Sequence, residues 1–345
     1  MIQSILHETL KSEAVIPEIS VVIPTCDRSD LVERAVASVL QQTLSAIEII
    51  VVVDGGNPPT IERLESIKDQ RLRIVILPKR SGAAAARNVG VLHARSEWVA
   101  FLDDDDEMLR ERLARQLDTA QASKARYPVV VCRYFVQSPK GKYVYPDLLP
   151  KQSEDVSDYL FDRRGLTGAI GGIGTSTILV KRELLIRVPF PDLPRHEDWG
   201  WVLEASKYEG WELQVIAEPL TIVHVQPGVS SISRPAGRRD WAVSLRWARS
   251  YRERITPRAY ASLLLIPIAR MAREDGDWWA APRLLAEAHR SGKPRLSHIT
   301  LFCALWLLPK RAQQIPYALR RWYANLNCGT ATEAGRQSEN HCSAA

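Results

Sequence analysis

The segment ISVVIPTCDRSDLVERAVASVLQQTLSAIEIIVVVDGG, residues 19–56, decides the fold because two short β-branched runs flank a helical pattern. The runs at 19–23 and 48–53 are mostly apolar, as strands buried on both faces of a sheet are. Between them, apolar residues recur with helical spacing from Leu31 to Leu40. A strand, a helix and a second strand in this order are typical of a parallel α/β unit.

The same alternation continues downstream. Strand-like runs follow at residues 72–77 (LRIVIL), 98–102 (WVAFL) and 129–136 (VVVCRYFV), separated by helical patterns. Residues 139–174 are rich in Pro, Gly and charge, and we interpret them as loops over an active site. After Arg234 only helical patterns remain. These patterns predict an α/β fold with a Rossmann-like, mostly parallel sheet, flanking helices and a C-terminal helical region.

We expect four parts in the chain of 345 residues. They are an N-terminal extension at residues 1–17, an α/β domain at 18–231, a basic helical region at 232–326 and a disordered polar tail at 327–345.

Composition narrows the class of protein. The sequence is 46% hydrophobic and 25% charged, as soluble globular proteins are. Its longest apolar run, at 299–308, is too short to span a bilayer. The first residues lack the basic and apolar parts of a signal peptide, which predicts a cytoplasmic protein. Five cysteines without a C-x-x-C pair indicate reduced thiols rather than disulfides or a zinc site.

The net charge of +6 is unevenly distributed. Residues 1–231 hold 27 Lys and Arg against 32 Asp and Glu (−5), residues 232–325 hold 18 against 6 (+12), and the remainder adds −1. In the basic part, Arg246, Arg249, Arg252 and Arg254 recur at helical spacing beside tryptophans. Such a surface suits an anionic inner membrane leaflet, but a helical subdomain with a solvated arginine face fits equally well. We expect no nucleic-acid partner, because the basic residues do not belong to a recognised nucleic-acid-binding module.

Polar residues follow three of the predicted strands. Thr25 to Asp27 follow the first, Asp54 follows the second, and the run from Asp103 to Asp106 follows the fourth. In a parallel sheet these ends form the ligand crevice. Four adjacent carboxylates need compensating cation charge, which a hard divalent metal with diphosphate oxygens would supply. The alternative is an acidic turn before the next helix.

Four common catalytic or binding motifs are absent. The sequence has no P-loop and no G-x-S-x-G motif, and the GAIGGIG run at 168–174 lacks the spacing of a dinucleotide-binding loop. This run is interpreted as either a mobile active-site loop or a tight turn. The HEDWG sequence at 196–200 lacks the second histidine of a zinc protease.

Several collinear motifs give the chain a resemblance to a known family. They are VVIPTCDR (21–28), SVLQQT (38–43), EIIVVVDGG (48–56), GAAAARNVG (82–90), AFLDDDDEM (100–108), STILVKR (176–182), HEDW (196–199) and VHV (223–225). In this order the motifs resemble those of the GT-A-fold inverting glycosyltransferases of glycosyltransferase family 2. The resemblance covers about residues 18–230, so it implies a GT-A catalytic domain at 18–231.

The resemblance also implies roles for individual residues. Asp105 would ligate Mg²⁺ or Mn²⁺, with His224 completing the metal shell, and Asp198 would be the general base. Asp103 would lie near the ribose, and Asp27 and Asp54 near the nucleobase. The substrate-binding residues implied as a set are Pro24, Thr25, Asp27, Asp54, Arg87, Asn88, Asp103, Asp104 and Glu197. From the residues alone, Arg87 could form a surface salt bridge, Asp198 an ordinary helix N-cap, and His224 a structural contact.

The sequence therefore predicts a metal-dependent, inverting glycosyltransferase. It would move a sugar from a nucleotide-diphospho-sugar, with UDP as the expected nucleotide, to a glycan or lipid-linked acceptor in cell-surface polysaccharide biosynthesis. We expect it in the cytoplasm, with peripheral contact to the inner membrane face. The alternatives are a phosphoryl-transfer enzyme that uses the aspartate run and a non-catalytic module that binds nucleotide sugars. Glu107 argues against the first, because it occupies the position where the D-x-D-x-[TV] pattern needs Thr or Val.

Overall fold

The computed structural model describes residues 16–139, 141–165, 168–225 and 241–308, and within them nine strands form one sheet. The strands are β1 (Ile19–Thr25), β2 (Ile47–Asp54), β3 (Leu72–Leu77), β4 (Trp98–Phe101), β5 (Glu107–Met108), β6 (Tyr127–Ser138), β7 (Gly141–Tyr145), β8 (Leu179–Lys181) and β9 (Trp211–His224). Their spatial order is β3, β2, β1, β4, β8, β6, β9, β5, with β7 paired to β6.

The first half of the sheet is parallel, as the sequence predicts. Strands β1 to β4 pair in parallel, and every residue of β1 and β2 is buried. The helices between them are α1 (Ser29–Leu40), α2 (Pro58–Glu65) and α3 (Ala83–His93). Because the strands run the same way, the carboxyl ends of β1, β2 and β4 lie at one edge. The predicted α/β architecture is confirmed.

The second half of the sheet is mixed. Strand β8 is antiparallel to both β4 and β6, whereas β9 runs parallel to β6. The sequence predicts a strand interrupted by Pro219, but β9 is continuous across it. The register between β9 and β6 shifts between Cys132 and Tyr134, opposite Pro219. Because the regular pairing is interrupted there, the sheet does not need the backbone N–H that proline lacks. Short helices α4 (Arg112–Ala122), α6 (Arg182–Arg187) and α7 (Glu197–Ala205) complete this half.

Residues 139–174 contain more structure than the loops predicted there. They include β7 and helix α5 (Val156–Phe161). The glycine run that follows is packed, because a Cβ at Gly171 would lie 2.2 Å from the Tyr159 ring and one at Gly172 would lie 2.4 Å from the Tyr145 ring. The Tyr145 hydroxyl also donates to the Gly171 carbonyl at 3.1 Å. Of the two interpretations, the structure favours a fixed turn over a mobile loop.

The C-terminal helices pack against the α/β part. They are α8 (Trp241–Ser250), α9 (Pro257–Leu263, continued by a π-helical turn at Leu264–Ile268), α10 (Ala269–Glu274), α11 (Ala280–Ser291) and α12 (Leu296–Leu307). Trp247 of α8 contacts Phe161, and the Tyr251 hydroxyl donates to Glu204 of α7 at 2.7 Å. One buried cluster joins both parts.

Two further predictions bear on this region. The end of the basic region expected at 232–326 and the tail expected at 327–345 lie outside the described residues. Among the helices that are described, none combines the length and the apolar character that a membrane span needs.

Candidate active site

A cleft of about 850 Å³ opens at the sheet edge where the carboxyl ends of β1, β2 and β4 meet. Side chains from the α3 and α7 N-termini and from the end of β9 also line it. Of the residues implied by the family resemblance, the cleft contains Pro24, Thr25, Asp27, Asp54, Arg87, Asp103, Asp104, Asp105, Glu197, Asp198 and His224. The structure therefore brings together nearly all of the predicted site residues.

The aspartate run forms the floor of this cleft and is partly neutralised by Arg28. Arg28 Nη1 donates to Asp104 at 3.1 Å and to Asp105 at 3.3 Å, and the Thr25 hydroxyl donates to Asp104 at 2.7 Å. Burial raises the pKa of Asp104 to about 6, and burial together with the charge of Asp103 raises the pKa of Asp105. Burial and the charges of Asp103 and Asp105 hold the pKa of Asp106 well above its usual range. Arg28 therefore does not fully compensate the negative charge of these adjacent carboxylates.

Arg87 connects the run to the other wall of the cleft. Its guanidinium is buried, with Nη2 2.6 Å from Asp103 Oδ1 and Nη1 3.2 Å from Glu197 Oε1. Burial opposes the charge, but the carboxylates of Asp103 and Glu197 outweigh it and raise the pKa of Arg87. A bidentate guanidinium fixes the separation of its two partners. Instead of the surface salt bridge considered from the sequence, the structure has a buried guanidinium that bridges the segment after β4 and helix α7.

Asp198 lies in the first turn of α7, beside Glu197. Its Oδ1 accepts from the Trp199 amide at 2.8 Å. Burial, and next the charge of Glu197, raise the pKa of Asp198 to about 7. A carboxylate with a pKa near neutrality is suited to general base catalysis. Asp198 also lines the cleft.

His196 joins this segment to the C-terminal helices. Its backbone is left-handed, with φ of 63°, and its ring stacks on Trp199 at 4.6 Å. The Nε2 atom lies 2.8 Å from the Ser244 hydroxyl of α8. Burial lowers the pKa of His196 to about 3, so the ring is neutral at physiological pH. His196, the first residue of the HEDWG motif, therefore packs against Trp199 and pairs with Ser244.

The two residues predicted to lie near the nucleobase, Asp54 and Asp27, already have partners within the protein. Both Asp54 oxygens accept backbone amides, from Ser81 at 2.7 Å and from Gly82 at 2.9 Å. Asp54 thereby fixes the turn that begins α3, where Gly82 has a φ of 90°. Asp27 forms an ion pair with Arg80 at the cleft rim. Each carboxylate oxygen has a second lone pair, so either residue can still accept from a ligand.

His224 and Asn88 have different positions. His224 lines the cleft, its Nε2 lies 2.6 Å from Glu107 Oε1, and its amide donates to Asp106 at 3.1 Å. Asn88 does not line the cleft. Its amide group donates to the Phe190 carbonyl and accepts from the Phe190 amide, each at 2.9 Å. Asn88 therefore acts as a brace for the segment before α7.

The donor set of the cleft fits a cation that takes part of its coordination from a ligand. No group of three His, Cys, Asp or Glu side chains within the described ranges is arranged to hold a metal alone. Asp105, however, is a hard oxygen donor among carboxylates whose pKa values burial and mutual repulsion raise. A divalent ion would relieve this repulsion, with diphosphate oxygens filling the remaining positions.

Three residues of the site were not assigned a role from the sequence. Arg28 is the last residue of the VVIPTCDR motif at 21–28, but its partners Asp104 and Asp105 lie 76 and 77 residues away along the chain. Ser176, whose hydroxyl accepts from the Asp103 amide at 3.0 Å, lies within the STILVKR motif at 176–182. Ser244 pairs with His196 across 48 residues, and nothing near it in sequence predicts this contact.

Comparisons with known proteins agree with this geometry. The model of the family described as glycosyl transferase family 2 matches residues 20–187. An uncharacterized glycosyltransferase of Haemophilus influenzae is 30% identical over 198 residues, which cover 55% of this chain and 72% of that protein. The putative teichuronic acid biosynthesis glycosyltransferase TuaG of Bacillus subtilis is 28% identical over 234 residues, covering 66% of this chain and 87% of that protein.

A solved structure resembles the whole fold. TarS 1–349 of S. aureus, crystallised with UDP-GlcNAc, superposes with a TM-score of 0.50 and 16% identity, over 93% of this chain and 92% of that one. At this identity the likeness concerns the fold alone. The GT-A type of fold that the sequence predicts is therefore confirmed.

The raised pKa of Asp198 predicts a stability change that depends on pH. Between about pH 4 and 7 the folded state retains a proton that the unfolded state has lost, so stability falls as pH rises. Asp198→Asn removes this cost and should raise the free energy of unfolding by roughly 1 to 4 kcal/mol at pH 8, with little change at pH 4. Urea unfolding at both values measures the difference.

Asp118→Asn is the matched control, because Asp118 is an exposed carboxylate on α4. It should leave the free energy of unfolding nearly unchanged at both pH values. A gain for Asp198→Asn that is equal at pH 4 and pH 8 would contradict the explanation by a buried charge.

Proposed function

The chain belongs to glycosyl transferase family 2, and we propose that it moves a sugar from a nucleotide-diphospho-sugar to a glycan or lipid-linked acceptor in cell-surface polysaccharide assembly. The name of the TuaG relative, which refers to teichuronic acid biosynthesis, supports the polysaccharide part of this proposal. We further propose that the reaction inverts the anomeric centre.

The observation that carries the proposal is the Arg87 bridge. One guanidinium contacts Asp103 of the aspartate run and Glu197, the neighbour of Asp198. The bridge supports the proposal because it links the acidic run that would hold the cation for the leaving diphosphate to the helix that carries the proposed base. An inverting displacement needs this arrangement, because the acceptor must attack from the face opposite the leaving group.

In the proposed mechanism, Asp198 removes the proton from an acceptor hydroxyl as its oxygen forms a bond to the anomeric carbon. The bond between that carbon and the diphosphate oxygen breaks, and the nucleoside diphosphate leaves with the electron pair. Burial and the charge of Glu197 keep the pKa of Asp198 near 7. Asp198 is then a stronger base than an exposed aspartate, and at neutral pH a large fraction of the protein molecules still carry it ionised.

Asp105, with His224 nearby, is the proposed holder of Mg²⁺ or Mn²⁺. Bound there, the cation would supply Lewis acid neutralisation of the diphosphate. The high carboxylate density of the run supports this role. Arg28, already in contact with Asp104 and Asp105, would keep the run positioned before the cation binds.

The proposed nucleotide is UDP. Asp27 and Asp54 line the part of the cleft formed by the ends of β1 and β2, and each can accept an N–H from a base. Uracil offers one such donor at N3. Pro24 and Thr25 form the adjoining wall, and Asp103 would lie beside the ribose.

We also propose peripheral contact with an anionic inner leaflet from the cytoplasm. Trp279 and Leu307 of the helical region are 77% and 81% exposed, and exposed apolar side chains beside cations are typical of membrane-contacting surfaces. Arg246 and Arg254 are exposed as well, whereas Arg249 pairs with Glu287 and Arg252 donates to the Ser291 carbonyl.

Replacing Asp105, the proposed metal ligand, should make the affinity for nucleotide nearly independent of the cation. We expect wild-type protein to bind UDP at least 10-fold more tightly in Mn²⁺ than in EDTA, and Asp105→Asn to lose most of that difference. Calorimetric titration with UDP measures it. Equal affinity with and without the metal in both proteins would contradict the role of Asp105, and Asp118→Asn serves as the control.

The main test of the proposed function is product formation. Wild-type protein incubated with a panel of nucleotide sugars, Mn²⁺ and candidate acceptors should release nucleoside diphosphate. Asp198→Asn should lower the transfer rate about 10² to 10⁴-fold with little change in donor affinity, as loss of a general base does. A variant with near-normal transfer would show that another group, with Glu197 next in position, is the base.

Charge reversal tests the membrane proposal. Each basic residue near an anionic surface contributes on the order of 1 kcal/mol, so Arg246→Glu with Arg254→Glu should weaken binding to phosphatidylglycerol vesicles roughly 30-fold or more. Reversal of Arg110 and Lys124, exposed on the α/β part, is the control. Sedimentation at low and high salt measures the effect, and absence of binding at low salt would remove the membrane contact.

A further inference from the structure

Helix α7, which carries the proposed base, begins without a side-chain cap. Its N-cap residue is His196, whose side chain accepts no hydrogen bond from the backbone of the first turn. Ser, Thr, Asp and Asn usually occupy this position, since their side-chain oxygen satisfies a free amide there. An uncapped first turn tends to fray, and Asp198 lies in this turn. The position of Asp198 therefore depends on what else holds the start of α7.

The backbone of His196 has an unusual conformation. With φ of 63° and ψ of 29° it is left-handed, a region that residues with a Cβ rarely adopt. Its carbonyl accepts from the Gly200 amide at 2.8 Å, which is the first hydrogen bond of the helix. The direction in which α7 leaves the preceding segment is therefore set at His196. Keeping this conformation requires contacts that offset its strain.

The C-terminal helix α8 supplies such contacts. Nε2 of His196 lies 2.8 Å from the Ser244 hydroxyl, and the ring centroid lies 4.9 Å from that of Trp247. The ring also stacks on Trp199, within 5° of parallel. Ser244 is 1% exposed, so its bond to His196 is shielded from water. The His196 ring is thus packed on two tryptophans and fixed by one hydroxyl.

The Ser244 hydroxyl is suited to hold a neutral imidazole. It lies 3.5 Å from the Met271 sulfur of α10, to which it can donate its proton while its oxygen accepts from Nε2. Burial, and next the charge of Arg195, lower the pKa of His196 to about 3. The neutral ring anchors the first turn without adding a positive charge beside Asp198, which would lower the pKa of that carboxyl.

We propose that Ser244 is a positioning residue for Asp198, because by binding the His196 ring it fixes the first turn of α7 and so the place of the base in the cleft. This inference rests on the proposed role of Asp198 as the general base. Ser244 itself lies outside the cleft lining, so it acts through His196 rather than on a substrate. Helix α8 thereby takes part in the reaction at a distance.

The titration of Asp198 offers a measure of its position. The ionisable groups that interact with it are Glu197 of its own turn, Arg87 of α3, Asp103 after β4 and the Tyr134 hydroxyl of β6. Burial contributes most to its raised pKa. If the first turn frays, water reaches the carboxylate and its pKa falls toward that of an exposed aspartate. The stability that Asp198→Asn should gain at pH 8 relative to pH 4 would then shrink.

Urea unfolding of the full chain at pH 4 and pH 8 tests the link. When Ser244→Ala is also present, at least about half of the difference that Asp198→Asn shows between the two pH values should be lost. His196→Gly permits the left-handed backbone but removes the ring. It should lose the difference to a similar extent by itself, even if Ser244→Ala does not fold. Ser244→Ala should add no further loss in the His196→Gly background.

Ser262→Ala is the matched control. Ser262 is a fully buried serine of α9 that accepts from the Arg163 amide at 3.0 Å, so it also joins a C-terminal helix to the α/β part, but its partner is not in α7. Its replacement should leave the difference between the pH values intact. In the transfer assay, Ser244→Ala should lower kcat about 10-fold with little change in the KM for the donor, and Ser262→Ala should change neither. Ser244→Thr, which keeps a hydroxyl, should recover part of the rate.

The proposal is overturned if Ser244→Ala keeps the pH difference, if Ser262→Ala loses as much of it, or if Ser244→Ala transfers sugar at the wild-type kcat. A wild-type background in which Asp198→Asn gains equally at both pH values would overturn it as well, because Asp198 would then not be kept from water by α7. Loss of the difference in Ser244→Ala, in a protein that uses none of the nucleotide sugars offered, would support the positioning and count against the glycosyltransferase proposal alone.

Discussion

The buried guanidinium of Arg87 is the interaction on which the arrangement of the site depends. Burying a cation is costly unless its partners compensate for the lost water, and the partners of Arg87 are two carboxylates, Asp103 just after β4 and Glu197 at the start of α7. The same pair of acids would repel one another if the guanidinium were absent. Arg87 therefore has two effects. It neutralises the two carboxylates, and it fixes the distance between the segments that carry them.

Most of the fold could be predicted from the sequence where local pattern determines structure. The parallel strands β1 to β4 are apolar runs separated by amphipathic helices, and periodicity is sufficient to identify them. Prediction failed where tertiary contacts override local signals. Pro219 lies inside β9 because β6 shifts its register beside it, and β7 and α5 form within a Pro and Gly-rich stretch because Gly171 and Gly172 admit tyrosine rings. None of these partners is visible in a local window.

The site shows the same division. The aspartate run and Asp198 stood in collinear motifs, and the structure brings both into one cleft. Their roles in catalysis stay predictions. Ser244 could not have been found this way, because its importance comes from its contact with His196, 48 residues away along the chain. Asn88 is a different case, since its motif position implies a ligand contact, whereas in the structure its side chain bonds the backbone of Phe190.

The hydrophobic cluster that joins the α/β part to the C-terminal helices has a consequence for how the chain unfolds. Phe161 and Trp199 share contacts with Trp247 of α8, and Tyr251 is bonded to Glu204 of α7. Separating the two parts would expose these rings to water and leave a buried hydroxyl and carboxylate without each other. The described residues should therefore lose their structure in one cooperative transition. A fragment cut near residue 231 would be deprived of one wall of its own core.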